Sequence, residues 1–386
     1  GLRGELTAFL RRARAAANGH GVCFVLGNEA MDLDSHVCSV VMAYVLQLAN
    51  DSTVAAGGAS AVNYVPLMNT PRDEFKLRGE CVFLFQDCDL SVEDLCFLDE
   101  VDVAASVAER GATLFLVDHN KLDSAKAAFR ERVVGVVDHH HDEGACDHVP
   151  AADRVIAMVG SASTLVAEQA EARAPDVLHD PVIARLVLGT VLTDTANLDP
   201  LLRKATPRDR AVASSLVEVL CPDVRLQLQY QEDFFEQMKK AKFDVSGLSP
   251  TELLRKDYKC WALKQVTVGI SSVTLALPAF QKLVKEEMYV VARDFAKSKD
   301  VGLLLVLFVS FEPSLRREIF VSSESPEVHE RCVKQLTASD LQLKPLPLPV
   351  HAPDDLCSSW SQGNIGASRK QVAPLLMELF SESANL

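Results

Sequence analysis

The sequence predicts an α/β protein of two domains: an N-terminal domain with a mainly parallel sheet flanked by helices, then a smaller C-terminal α/β domain. Three observations predict it. From Val22 to about Cys221, short apolar runs rich in β-branched residues alternate with helical stretches, the pattern of strands covered on both faces. The segment Phe243-Asp-Val-Ser-Gly-Leu-Ser-Pro250 breaks the helical character, and strands alternate with helices again beyond it. The length of 386 residues suggests two or three domains at ~100–200 residues each.

Taken in order, the first 18 residues carry four arginines and one acid, Glu5. The spacing of Leu6, Phe9, Leu10 and Ala13 predicts a docked helix there rather than a transit peptide. Strands are expected at Val22–Leu26, Val82–Phe85, Thr113–Val117 and Val133–Val137, with helical segments over His36–Ala49 and Val92–Arg110. Helix continues through Arg208–Lys240. The second domain has strands at Gln265–Val273 and Gly302–Phe311 and helices at Phe280–Ser298 and Pro326–Ala338. Lys344–Pro353 reads as a Pro-rich loop, and a Gly-rich turn after Gln362 leads into a last helix. The domain boundaries are set at 1–226 and 227–386.

Composition narrows the class. Hydrophobic residues make up 48% and charged residues 24%, ordinary globular usage. Lys plus Arg number 39 against 53 Asp plus Glu, a formal charge of −14, which argues against non-specific binding to nucleic acid or anionic membranes. A polyanionic ligand would need its positive charge concentrated locally. No unbroken apolar run approaches the ~18–20 residues of a membrane span. Ten scattered cysteines form no C-x-x-C pair, so they read as reduced thiols, with a cytoplasmic location expected. The final Ala384-Asn385-Leu386 is only a distant relative of a peroxisomal signal.

Parallel α/β sheets bind ligands at the carboxyl ends of their strands, and there this sequence concentrates its acids. After the first strand comes Gly27-Asn28-Glu29-Ala30-Met31-Asp32-Leu33-Asp34-Ser35. Asp34 or Ser35 alone would satisfy a helix cap, but two aspartates at i and i+2 also point oxygens to one side. After Thr113–Val117 comes Asp118-His119-Asn120, and after Val133–Val137 comes Asp138-His139-His140-His141-Asp142. A fourth apolar run ends at Thr193-Asp194. Packing does not call for aspartate and histidine at the ends of the two consecutive strands Thr113–Val117 and Val133–Val137, whereas metal coordination does. Mostly oxygen ligands favour Mg²⁺ or Mn²⁺ over zinc. Six ligand positions exceed one such ion and suit two that share a carboxylate, an arrangement that supports attack on phosphorus.

Phosphates would then need cations from the second domain. It offers Lys259 and Gly363-Asn364-Ile365-Gly366-Ala367-Ser368-Arg369-Lys370, a glycine turn that opens a helix with backbone N–H groups, a guanidinium and an ammonium. Basic residues are unfavourable at the positive end of a helix dipole, so their presence points to a ligand. Gly160-Ser-Ala-Ser-Thr164 reads as a helix cap, and His36, His148 and His351 as lone histidines. No Walker P-loop and no G-x-S-x-G elbow is present.

The ordered set Asn28…Asp32-x-Asp34, Asp118-His119-Asn120, Asp138-His139-His140, Asp194 and Ser368-Arg369-Lys370 resembles the DHH phosphoesterase superfamily. Within it, the Ser-Arg-Lys end is similar to the branch of family-II inorganic pyrophosphatases, exopolyphosphatases and Prune proteins, built from DHH and DHHA2 domains. The resemblance implies an active site in a cleft between the domains. It implies that Asp118 bridges two divalent metals, that Asn28 and Asp32 serve one, and that Asp34, His139 and Asp194 serve the other. His140, Lys259, Ser368, Arg369 and Lys370 would bind phosphate and the leaving group, with Asp32, Asp118, His140, Arg369 and Lys370 as the catalytic set. Family-II pyrophosphatases carry histidine where this chain has Asn28, so Mg²⁺ is expected to serve, with Mn²⁺ or Co²⁺ substituting. Animal Prune proteins carry arginine at the position of His140.

The expected activity is therefore exopolyphosphatase: two metals generate a hydroxide that attacks the terminal phosphorus of inorganic polyphosphate. Pyrophosphatase or short-nucleotide and cyclic-nucleotide phosphodiesterase activity is the alternative within the superfamily. A Prune-like non-enzymatic scaffold is the alternative of another class. No nucleic-acid or membrane partner is expected, and the oligomeric state is open.

Overall fold

Strand β1 (Val22–Leu26) is buried at all five positions, as a central strand covered on both faces must be. A computed structural model of the chain describes residues 3–58, 60–285, 287–311, 313–348, 353 and 355–381; His351 and Ala384-Asn385-Leu386 lie outside them. Around β1 stand β2 (Asn63–Met68), β3 (Cys96–Phe97), β4 (Thr113–Val117), β5 (Val133–Asp138) and β6 (Arg154–Ile156). Their order is β3-β2-β1-β4-β5-β6, and every pairing is parallel. Helices α1 (Arg3–Ala16), α2 (Leu33–Ala55), α3 (Gly79–Asp87), α4 (Val103–Arg110), α5 (Ala162–Arg173), α6 (Pro181–Asp194), α7 (Pro207–Leu220) and α8 (Gln227–Phe243) complete this part. Leu6, Phe9, Leu10 and Ala13 of α1 are buried in its core, as their spacing predicts.

The chain forms two compact units, Gly1–Asp244 and Val245–Leu386. Helix α8, which follows residue 226, packs into the first core through Phe234 and Met238. The second unit holds a mixed sheet in the order β11-β12-β10-β9-β8-β7. Its strands are β7 (Tyr258–Ala262), β8 (Thr267–Val273), β9 (Leu303–Ser310), β10 (Arg316–Ser323), β11 (Leu343–Pro345) and β12 (Cys357–Gln362). Its helices are α9 (Pro250–Lys256), α10 (Leu277–Leu283), α11 (Met288–Ser298), α12 (Pro326–Thr337) and α13 (Arg369–Ser381). β8 and β9 pair in parallel and the other described pairings are antiparallel.

Several expected elements differ. Val82–Phe85 lies inside helix α3, not in a strand, because a four-residue apolar run does not distinguish a buried strand from a buried helical turn. Within Val92–Arg110 only Val103–Arg110 is α-helix, and strand β3 lies between. Phe280–Ser298 divides into α10 and α11. Helix α2 has 23 residues and is apolar enough on average to cross a membrane by length and composition, although its polar residues interrupt any apolar run of that length. Its buried residues, from Leu33 to Leu46, belong to the first core, and core helices meet the same test.

Candidate metal centre

Strands β4, β1 and β2 mark the point where the chain, having built outward from β1 to β2 and β3, turns to the other side at β4. Parallel sheets open a crevice at such a switch point. The loops after β1, β4 and β5 leave the sheet at the same end, since the three strands are parallel neighbours. Asp118 stands there, 2% exposed, with its backbone at φ 61°. That left-handed conformation is uncommon outside glycine, is better tolerated by aspartate, and is typical of functional turns.

Both Asp118 oxygens are engaged. Oδ2 accepts from Asn28 Nδ2 at 2.8 Å and from Ser35 Oγ at 2.7 Å. Oδ1 faces His139 Nε2 at 3.3 Å and His140 Nδ1 at 3.8 Å. Ligand atoms of Asp118, His139 and His140 all lie within 4.8 Å of one another. Burial pushes the Asp118 carboxyl up to about 7, and the charges of Asp34 and Asp32 act in the same direction. Burial opposes charge on His139, but the bond to Asp118 and the field of Asp34 outweigh it and raise the imidazole to about 10.

Asn28 contributes differently from the expected oxygen ligand. Its Oδ1 accepts the N–H groups of Ala30 and Met31 at 2.9 and 3.0 Å, which fixes the amide orientation. It therefore presents a donor to Asp118. Asp32 caps α2, accepting from Ser35 N at 3.3 Å. Desolvation and the neighbouring Asp34 raise its carboxyl above the ordinary range.

Asp34 is buried and held by the start of α5: Oδ2 accepts from Ala162 N at 2.6 Å, and Oδ1 accepts from Ser163 N at 2.9 Å and Ser163 Oγ at 2.6 Å. The Gly160–Thr164 segment is thus the seat of a carboxylate, as the dipole of a helix N-terminus favours. The preceding residue, Val159, accepts the Nδ1–H of His139 at 3.0 Å, leaving Nε2 toward Asp118. One short loop therefore orients two candidate ligands.

Asp194 ends α6; among the described residues its buried Oδ2 has no hydrogen-bond partner, and the Ser161 hydroxyl beside the carboxyl only partly offsets its burial. Burial, then the charges of Asp34, Asp32 and Asp118, push its carboxyl well above the ordinary range. Ala196, Asn197 and Leu198 follow with φ of 51°, 58° and 61°, a strained turn held by Asn197 N on Leu192 O at 2.7 Å and by Gln231 on Asn197 Oδ1 at 2.8 Å. An orphaned buried carboxylate oxygen among three more carboxylates costs free energy unless a cation compensates it. The donor set of Asp32, Asp34, Asp118, His139 and Asp194 fits divalent metal.

His140 is oriented from behind. Its Nδ1 lies 2.8 Å from Asp138 Oδ1, and the other Asp138 oxygen accepts from Asn120 Nδ2 at 2.6 Å. The bond to Asp138 raises the imidazole above its ordinary value. His119 instead turns to Val117 O at 2.9 Å, and burial lowers its pKa. His36 is wholly buried and pushed down to about 4 by desolvation.

Ser35, Asn120, Asp138 and Asp209 position the site; the sequence marks Asn120 and Asp138 only as members of the Asp/His runs at the strand ends, and Ser35 only as a helix cap. Asp138 stands at the end of an apolar strand, as the sequence shows, but its role in orienting His140 is seen only in the fold. Asp209 lies far along the chain, on α7, and nothing local marks it.

In the second unit, Lys259 is exposed on β7 and Lys370 in the first turn of α13. Arg369 places Nη1 on Asp257 O at 2.8 Å and Nη2 on Asp257 Oδ1 at 2.6 Å, which offsets one of the two charges at the helix start. Ser368 Oγ and N both donate to Gln371 Oε1, at 3.0 and 2.8 Å, so this hydroxyl serves the cap.

Residues 22–192 match the model of the DHH family, N-terminal domain, and residues 236–379 that of the DHHA2 domain. Mouse Exopolyphosphatase PRUNE1 is 33% identical over 97% of this chain and 79% of its own length. The chain belongs to the DHH family. A more distant relative, the manganese-dependent inorganic pyrophosphatase of Methanocaldococcus jannaschii, is 25% identical over 74% of this chain and 81% of its own. A crystal structure from Methanococcus jannaschii, assigned to the family II inorganic pyrophosphatases, covers 93% of this chain and 100% of its own, with a TM-score of 0.50 at 21% identity. It shares the fold. In this DHH chain the family's name motif stands as Asp138-His139-His140, with its first residue orienting the third.

Proposed function

We propose that this chain is an exopolyphosphatase, a hydrolase that releases terminal phosphate from inorganic polyphosphate at a centre dependent on divalent metal. The observation that carries the reading is Asp118, fixed by Asn28 and Ser35 on one oxygen and facing His139 with the other. The relative named an exopolyphosphatase, matching over nearly the whole chain, supports the substrate class. The manganese-dependent relative supports the cofactor class.

Two divalent ions would be held by Asp32, Asp34, Asp118, His139 and Asp194, with Asp118 shared. When bound they supply charge neutralisation and Lewis-acid activation for attack on phosphorus. The oxygen-rich set, with Asn28 presenting its nitrogen, favours Mg²⁺, and Mn²⁺ or Co²⁺ would substitute. His140, whose Nδ1 is held by Asp138 in a bond that favours the charged imidazole, would offer its Nε2 to the departing phosphate chain or to a phosphoryl oxygen. Lys259, Arg369 and Lys370 carry the positive charge that a polyanion requires, with Ser368 capping the helix that presents two of them. Water attacks the terminal phosphorus, the phosphoanhydride bond breaks, the leaving oxygen would take the proton offered by His140, and a proton of the attacking water would replace it.

Phosphate release from pyrophosphate, tripolyphosphate and long-chain polyphosphate, measured side by side in Mg²⁺ and in Mn²⁺, tests the reading. Turnover of the longer chains with pyrophosphate left over is expected. Cleavage of pyrophosphate alone would move the chain to the pyrophosphatases, the reading that the relative named an inorganic pyrophosphatase favours.

A further inference from the structure

The first unit carries two cations beside the carboxylates that no motif includes. Arg78 precedes α3 and donates Nη2 to the carbonyl of Ala30 at 2.9 Å, on the loop that leads into Asp32. The next residue, Gly79, meets the end of α8: a Cβ there would lie 2.2 Å from the carbonyl oxygen of Ala241. Only glycine lets the two backbones approach so closely. Lys242, next to Ala241 and exposed, is thereby brought to the side of the centre where Arg78 stands. Both charges act on Asp32, whereas the charges that act most strongly on Asp194 are those of Asp34 and Asp32. Both cations therefore stand on the Asp32 side of the carboxylates, Arg78 through its bond to the Ala30 carbonyl and Lys242 through the close approach of Gly79 to Ala241.

We infer that Arg78 and Lys242 form a subsite for a distal phosphate of a linear condensed phosphate whose terminal group is at the carboxylate cluster. The inference rests on the proposed exopolyphosphatase activity and deepens it. A guanidinium offers a planar fork to phosphate oxygens and an ammonium offers a compact charge. A chain of −14 net charge repels a polyanion at long range, so local cations are needed along its path. Pyrophosphate, with one phosphate beyond the hydrolysed group, is too short to use the subsite fully.

The test compares wild type with Arg78→Gln, Lys242→Gln and the double variant. It reads kcat/KM on long-chain polyphosphate and on tripolyphosphate, with Mn²⁺ affinity followed by calorimetry. The ratio of the two kcat/KM values is expected to fall roughly tenfold in the double variant, the scale of one charged contact, with Arg78→Lys recovering part of it. An unchanged ratio overturns the subsite while leaving the exopolyphosphatase reading in place. A loss on all chain lengths in step with weaker Mn²⁺ binding also overturns it and assigns Arg78 to holding the Ala30 loop. If wild type releases no phosphate from any polyphosphate, the activity itself is refuted. Calorimetric binding of long-chain polyphosphate to wild type and double variant then decides the subsite alone: equal binding sinks it, and tenfold weaker binding by the variant sustains it.

Discussion

Asn28 donates its amide nitrogen to Oδ2 of Asp118 at 2.8 Å, the same oxygen that Ser35 reaches at 2.7 Å. The central carboxylate of the site is thereby aimed by two neutral donors, one from the loop after β1 and one from the first turn of α2. An imidazole in place of Asn28 could offer a lone pair to a metal, and nitrogen ligands favour transition metals. Asn28→His is expected to raise the ratio of Mn²⁺- to Mg²⁺-supported turnover by about tenfold. Metal-dependent phosphate release checks it; an unchanged ratio would count against the reading of Asn28.

Asp118→Ala should abolish metal binding and nearly all turnover, because it removes the carboxylate proposed to be shared. Calorimetric titration with Mn²⁺ reads the first and phosphate release the second. Retained wild-type turnover would sink the metal assignment.

The Asp118–His139 pair titrates as a unit, with the carboxyl pushed up to about 7 and the imidazole to about 10. Ligands must lose protons to bind metal. Metal affinity should therefore rise with pH, by about tenfold per unit for each proton released, across the window from below 7 upward. Titrations between pH 6 and 8, in buffers of different ionisation enthalpy, should show proton release. A flat affinity with no release would contradict it.

Asp209 is fully buried and ties α7 to the loop that orients His139 and Asp34. Its Oδ2 accepts from Gly160 N at 2.9 Å and from Thr206 N at 2.6 Å, and Oδ1 accepts from Thr164 Oγ1 at 2.6 Å. Burial opposes its charge, yet these bonds win and hold the carboxyl below 3.8. Asp209→Asn places an NH₂ against donors and should cost on the order of 2–4 kcal/mol. Because the folded-state pKa is depressed, the contribution is present above the unfolded value of 3.8 and fades as pH falls through the folded one. Urea unfolding at pH 7 and near pH 3 measures it, and an equal difference at both would refute the linkage. Weaker Mn²⁺ binding should accompany it.

Lys370→Ala should raise KM or lower kcat while Mn²⁺ binding stays intact, since Lys370 is assigned to substrate rather than to metal. Loss of the metal in this variant would undo the separation of roles.

What the sequence by itself determined are features that local periodicity and strand-end position encode. The apolar runs of β1, β4 and β5 lead directly into Gly27-Asn28, Asp118 and Asp138, so the parallel sheet and its polar, largely acidic edge are both legible there. Chain order alone does not carry the pairings that cross the fold. The run Val82–Phe85 is as apolar as β4, and only packing of its Cys81, Leu84 and Phe85 face decides that it is helix. Asn28 reads as an oxygen ligand in the sequence, but the N–H groups of Ala30 and Met31 take that oxygen and turn its nitrogen to Asp118. Asp34 finds its donors 128 and 129 residues away on α5, and Gly160 finds Asp209 after 49. Such partners are chosen because a buried charge must be satisfied by whatever donors the folded chain brings within reach, and that choice is made in three dimensions.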